Sequence, residues 1–270
     1  MDTAGYRKFK LRKQWRRLWP FFILFPFLIF SAWLVEVDMR VFEQKNFRIL
    51  NLLSDFLYPA WEVLPVMLIA ASKTVLLAIL GTVFGSILSF FFAVYAAENL
   101  SPRWANHISR ILIALERSIS EVLIILVLIV IFGLGMFPGV VAIAISCIGM
   151  LGKLYADAIE EIPESTIQGL RSVGATKLQV ILFGVFPEIA TSLIANTILR
   201  FEINVRTSVL LGAIGAGGIG YELLKAYNYL AYSEMSVAIL TILALVFASE
   251  QLSGYWRKSV DGKKTFRNAF

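Results

Sequence analysis

The chain is short of the residues that build redox, metal and hydrolytic chemistry. Its 270 residues hold one cysteine and one histidine. Cys147 sits alone in an apolar segment, which excludes a disulfide framework and a thiolate metal site. His107 stands beside an expected membrane boundary, which argues against metal ligation and leaves no Ser/His/Asp set. No P-loop is present, nor any paired carboxylates in a recognisable pocket, so no metal or catalytic residues are assigned. Active work by this chain would draw its energy from a partner or an ion gradient. Charge is scarce too, at 16% of residues, against roughly 25% in ordinary soluble domains. Internal repeats and low-complexity linkers are also missing.

Apolar residues are what the chain has in excess: 58% are hydrophobic and the mean hydropathy is +0.75. These values indicate a one-domain, all-α integral membrane protein. The net charge of +6 could suggest nucleic acid, but its placement argues otherwise. Seven cations fall within the first seventeen residues and five more lie between Arg257 and Arg267. Basic ends flanking apolar spans predict that both termini are cytoplasmic and that the span count is even. The basic start followed by an apolar run imitates a signal peptide. The run continues to Val35 with no small-x-small site before Glu36, and so is read as a retained first span.

About six spans are expected. They cover residues 20–35, 75–96 within a longer apolar stretch from 64, 108–132, 140–156, 187–211 and 235–255. Between the first two, Phe47, Leu50, Leu53, Phe56 and Leu57 recur at helical spacing and predict an amphipathic helix on the outer surface. Lys73 and Thr74 mark the outer end of span two, and Gly81 and Gly85 form a small-xxx-small pair suited to close helix contact. The chain is thus divided into a basic N-terminus (1–19), a first span with external segment (20–63), a membrane core (64–256) and a basic tail (257–270).

The longest polar interval in the core is residues 158–187. Helical periodicity over 161–170 and 175–183, with Gly174 between, predicts a helix, a turn and a second helix that re-enters the membrane at Pro187. Such a hairpin suits docking to a partner, or is a plain solvated loop.

Charges inside expected spans are costly, about 3 kcal/mol at the bilayer centre. Glu202 and Arg206 are four apart and can pair on one helix face, as can Arg117 and Glu121. Arg200 lies off the first of these faces and reads as the freest cation. The pairs either neutralise themselves inside the bundle, or an arginine guides an anion along a pathway formed by Arg117, Arg200, Glu202 and Arg206. Gly215, Gly217 and Gly220 match the dinucleotide fingerprint, but no βαβ unit surrounds them. With Gly218 they are read as a helix-ending turn or a gate at the outer mouth.

At residues 168–187 the hairpin resembles the cytoplasmic loop of type I ABC importer permeases, whose pattern is Glu-Ala-Ala, then glycine, then Ile-x-Leu-Pro. Gly174 and Pro187 keep their places, while Gln168, Gly169 and Leu170 replace the leading triplet. Residues 152–162, 174–189 and 200–220 resemble the phosphonate-transport permeases, which include relatives handling phosphite. Glu116 to Glu121 is similar to that family's Arg-Ser-Ile-Pro-Glu, with Ser120 in place of proline. The resemblance covers about residues 66–255 and implies the type I ABC importer permease architecture. It implies a homodimer in a bacterial plasma (inner) membrane, with the pathway between the copies. Two ATPase subunits carrying ATP and Mg would dock on the coupling residues Gln168, Gly169, Leu170, Gly174, Ala175 and Lys177. A separate binding protein would deliver phosphonate, phosphite or phosphate, and this chain would bind no cofactor. The alternatives are an importer of a different small anion, a stand-alone secondary transporter and a non-transporting scaffold.

Overall fold

The computed structural model describes residues 24–35 and 56–267, with side chains placed as far as residue 259. It divides into two units, Met1–Ser54 and Asp55–Phe270. In the first unit the described element is helix α1, Leu24–Leu34, inside the expected first span. The basic N-terminus and Phe47, Leu50 and Leu53 of the expected surface helix lie outside the described residues.

Helices are the regular structure among the second unit's described residues. After a short 3₁₀ turn come α2 (Leu64–Ala96), α3 (Arg103–Arg117), α4 (Glu121–Phe132), α5 (Met136–Glu160) and α6 (Glu164–Ser172). Helices α7 (Lys177–Ala216), α8 (Ile219–Asn228) and α9 (Tyr232–Arg267) complete it. Among the described residues four helices are long and apolar enough to cross a membrane: α2, α5, α7 and α9. Helices α1 and α4 are apolar but shorter.

Helix α5 is the pillar. Its apolar window is 56% buried, against 22–33% for the other three long helices, so those three still carry broad uncovered faces. Small residues make this possible, because association of helices in lipid relies on close packing more than on the hydrophobic effect. Gly81 of α2 faces Ile143, and Gly85 faces Cys147 and Ala144, at distances that leave no room for a Cβ. The small-xxx-small pair therefore marks the α2–α5 contact. Cys147 is buried there as a free thiol.

Three boundaries differ from the expected ones. Helix α2 runs unbroken from Leu64, so Lys73 and Thr74 lie within it and do not mark its end. The stretch expected as one span from 108 to 132 is two helices, α3 and α4, separated by Ser118–Ser120. Ser120 adopts φ −67°, ψ 136°, the extended geometry a proline ring would also impose. The break therefore persists without the proline, because serine adopts these angles freely and α4 restarts from the Ser120 carbonyl, which accepts from the N–H groups of Leu123 and Ile124. Third, the second half of the polar hairpin is continuous with α7. The helix widens to a π-turn over Val180–Val185, just before Pro187. Proline has no N–H to give the preceding turn and its ring crowds that turn's carbonyl, which accounts for the widening.

Candidate functional site

Two regions carry the polar groups, one at each end of a chain of contacts. The first is the hairpin. Pro163, with ψ 133°, ends the run from α5, and α6 then covers nine residues. Gly174 has φ +84°, a left-handed geometry that glycine adopts without strain, and its N–H donates to Arg171 O at 3.0 Å. Thr176 caps the next helix: Gln179 N–H donates to Thr176 Oγ1, and Thr176 N–H donates to Gln179 Oε1 at 2.8 Å. Ile167 is fully buried and Leu170 packs on the main core, which seats the hairpin. Gln168, Gly169, Gly174 and Lys177 are exposed, while Ala175 is half-buried. Val173, Leu178 and Phe183 expose large apolar surface beside them. A capped tip with this much exposed apolar surface is unusual for a solvated loop.

The second region is a polar seam inside the helix bundle. Arg200 of α7 is only 6% exposed. Its Nη2 donates to Glu121 Oε1 at 2.7 Å and to Ser146 Oγ at 2.6 Å. The Ser146 hydroxyl also donates to Glu121 Oε1. One turn along α7, Asn204 Nδ2 donates to Thr82 Oγ1 at 2.8 Å and to Cys147 Sγ at 3.3 Å. Helices α2, α4, α5 and α7 are thus joined by side-chain hydrogen bonds at membrane depth.

This seam corrects the expected pairing. Neither Arg117–Glu121 nor Glu202–Arg206 forms an ion pair among the described residues; Glu121 pairs with Arg200 instead. The break at Ser118–Ser120 takes Arg117 and Glu121 off a common helix face, so four-residue spacing no longer brings them together. Arg200 is accordingly not the freest cation. That description fits Arg206, which is exposed and has no ion pair, with Glu202 half-buried one turn away. Arg117 is exposed at the end of α3. It lines a hollow of about 190 Å³ together with Arg110, Lys153 and Asp157. The reading of residue types assigned no role to Ser146, Asn204 or Arg110. Ser146 interrupts a strongly apolar run, and that interruption is the signal that could have found it; Asn204 stands among the charges Arg200, Glu202 and Arg206, which drew the reading to themselves.

The glycines form a reverse turn. Gly217 and Gly218 have φ +83° and +78°, and Gly215 departs from helical geometry at φ +135°. Gly135 N–H donates to Gly215 O at 3.0 Å, and Ile219 N–H donates to Thr74 Oγ1 at 2.9 Å. The turn after α4 and the turn after α7 therefore meet at one end of the bundle, opposite the hairpin, and the second of them rests on α2 through Thr74. No βαβ unit exists around this GxGxxG among the described residues.

Because Ser120 already holds proline-like angles and its N–H donates no backbone hydrogen bond, Ser120→Pro should be tolerated. The expected change in stability is within about 1 kcal/mol of wild type. A thermal melt of the purified protein in detergent checks this, and a large loss would show that the break depends on the serine side chain.

A family model described as binding-protein-dependent transport system inner membrane component matches residues 85–256. The chain is 31% identical over 246 residues to the phosphite transport system permease protein PtxC of Stutzerimonas stutzeri, covering 90% of each. It is 36% identical over 189 residues to the phosphate-import permease protein PhnE of Mycolicibacterium smegmatis, covering 70% of this chain and 36% of that one. Among solved structures, an inward-facing conformation of the MetNI methionine ABC transporter matches with a TM-score of 0.60 at 19% identity, over 72% of this chain and 95% of that one. At that identity the likeness speaks for the fold, which is that of ABC importer permeases.

Proposed function

This chain belongs to the family of binding-protein-dependent transport system inner membrane components, and on that premise we propose that it is the permease subunit of an ATP-driven importer of phosphorus oxyanions. Membership of this family implies work alongside a binding protein and ATPase subunits. The names of the similar permeases, which handle phosphite and phosphate, support a cargo of phosphite, phosphate or phosphonate. In this reading the chain moves the anion and hydrolyses nothing itself, while ATP and Mg stay on the ATPase pair.

The observation that carries the reading is the hairpin. It presents exposed apolar residues on a capped, rigid frame that is seated on the core through Ile167 and Leu170. We assign its face to the cytoplasm, where an ATPase subunit would cover Val173, Leu178 and the glycine turn. The glycine-rich end would then face outward, towards the binding protein, with both termini on the cytoplasmic side.

A second copy of the chain completes the pathway in this proposal. Arg206 is a charge without an ion pair on an apolar helix, exposed in the single chain. Lipid is a costly neighbour for it, by about 3 kcal/mol. A water-filled path between two copies gives Arg206 and Glu202 a suitable environment, and guanidinium forks match phosphorus oxyanions well.

The test is ATP hydrolysis in lipid nanodiscs with the ATPase and binding protein. Binding protein loaded with phosphite, phosphate or phosphonate is compared with empty binding protein. Stimulation by one loaded form supports the reading and identifies the cargo. Failure to form any complex would shift weight to a stand-alone transporter. In the same system Arg206→Ala should lower uptake about tenfold, the range expected when a charged hydrogen-bonding partner is lost, with assembly unchanged. Equal uptake by the variant would remove Arg206 from the pathway.

A further inference from the structure

We propose that Arg110 is a positioning residue that makes α3 move with the docking hairpin, and so carries ATPase closure to the break between α3 and α4. The inference rests on the permease reading above.

Its ground is a cluster of polar contacts around the turn between α2 and α3. The Arg110 guanidinium reaches three groups at once. Nη2 donates to Glu160 Oε1 at 2.5 Å, Nη1 lies 3.2 Å from Glu98 Oε1, and Nε donates to Ala96 O at 3.1 Å. Asn106, one turn earlier on α3, donates from Nδ2 to the same Ala96 carbonyl at 2.5 Å. Glu160 Oε1 also accepts from Glu98 N–H at 2.8 Å. Glu160 is the last residue of α5, and α6 begins at Glu164.

The turn is bonded to the hairpin from its other side. Asn99 Nδ2 donates to Ile159 O at 2.8 Å, and Arg171 of α6 donates from Nη2 to Asn99 O at 3.5 Å. Lys177, where α7 begins, lies 5.5 Å from the centre of the Tyr95 ring near the end of α2. Displacing the hairpin therefore pulls on the α2–α3 turn through Asn99 and Tyr95, and on Glu160 through the chain itself. Arg110 receives both inputs, because it holds Glu160 and the Ala96 carbonyl together.

From Arg110 the helix continues two turns to Arg117 and ends at the Ser118–Ser120 break. Beyond it, Glu121 is anchored to Arg200 and Ser146. Helix α3 is thus a fifteen-residue strut tied to the hairpin region through its middle at Arg110, with its last turn, Glu116 and Arg117, packed against Gly149 of α5 just before the break. The break supplies the hinge, since extended backbone at Ser120 interrupts the helical hydrogen-bond ladder.

The Arg110 ion pairs are partly exposed, with side-chain exposures of 40% for Arg110, 70% for Glu98 and 28% for Glu160. Pairs so exposed contribute little to stability. A purely structural role would lower hydrolysis and uptake only in proportion to any lost assembly. A role in transmission would leave the fold intact and break the link between hydrolysis and uptake.

The experiment uses the full complex in proteoliposomes and measures uptake and ATP hydrolysis together. Arg110→Ala should assemble as wild type and hydrolyse ATP, yet move about tenfold less anion per ATP, within the span of coupling between linked sites. Arg110→Lys should recover part of the ratio, because it keeps the charge towards Glu160 and loses the planar fork. Glu160→Gln should reproduce the alanine phenotype, and the double variant should be no worse than either single one. A wild-type ratio in Arg110→Ala overturns the inference while leaving the permease reading intact. Loss of hydrolysis and uptake in proportion to lost assembly would make the residue structural and also overturn it. Absence of any loaded-protein stimulation in wild type would instead strike the permease reading.

Discussion

Replacing Arg200 by alanine is expected to destabilise the folded bundle rather than to slow transport alone. Arg200 is buried and donates to both Glu121 and Ser146. Truncating it leaves the Glu121 carboxylate without its cation at membrane depth. Breaking a buried pair from one side costs about 3–5 kcal/mol, a large share of the marginal stability of a folded protein. Glu121→Ala should cost a similar amount, because it strands the guanidinium. The double variant Glu121→Gln, Arg200→Met should cost clearly less than the sum, since it removes both charges and keeps the volume. Thermal unfolding in detergent with a double-variant cycle reads the difference. If Arg200→Ala melts like wild type and only uptake falls, the seam is part of the pathway and not a brace.

Gly220→Ala should be nearly as damaging, for a steric reason. A Cβ at that position would lie 1.8 Å from Val209 O and 2.7 Å from Ala213 N. Both are backbone atoms, so no side chain can swing aside. The start of α8 would have to move off the end of α7, breaking the Ile219 N–H contact to Thr74. Overpacking at the upper end of its usual range costs about 3 kcal/mol. Gly217→Ala is the control. Its nearest neighbour is 3.9 Å from a built Cβ, so only the backbone resists it, at φ +83°, ψ −165° in a region open mainly to glycine, at about 1–3 kcal/mol. A larger fall in melting temperature for Gly220→Ala supports the close-packed turn. The reverse order would indicate that backbone angle, not contact, limits this segment.

The chain reads clearly where the governing physics is local. Apolar length and the scarcity of charge establish an all-helical membrane protein. A close helix contact on α2 was legible because small residues four apart suit a close approach, while its partner, α5, was given only by the packing of Gly81 and Gly85. Gly174 was legible as a turn because a left-handed residue there suits glycine and little else. The family resemblance was carried by stretches on either side of that turn, and the comparisons place the chain in that family.

Pairing of charges was not legible, because spacing along a sequence predicts partners only while one helix continues. Residues 117 and 121 would be neighbours on an unbroken helix, but Ser118–Ser120 interrupts it, and Glu121 finds Arg200, which comes 79 positions later. Arg200 looked free since its partners, Glu121 and Ser146, sit on other helices. Arg206 looked paired, yet its neighbour Glu202 leaves it alone. Burial at membrane depth settles such choices: an ion pair forms where helices meet and water is absent. Composition and period determine that helices form and where most of them run. Which charges close on one another, and which remain unpaired, follows from the packing of α4, α5 and α7, a property of separations in space that no local pattern records.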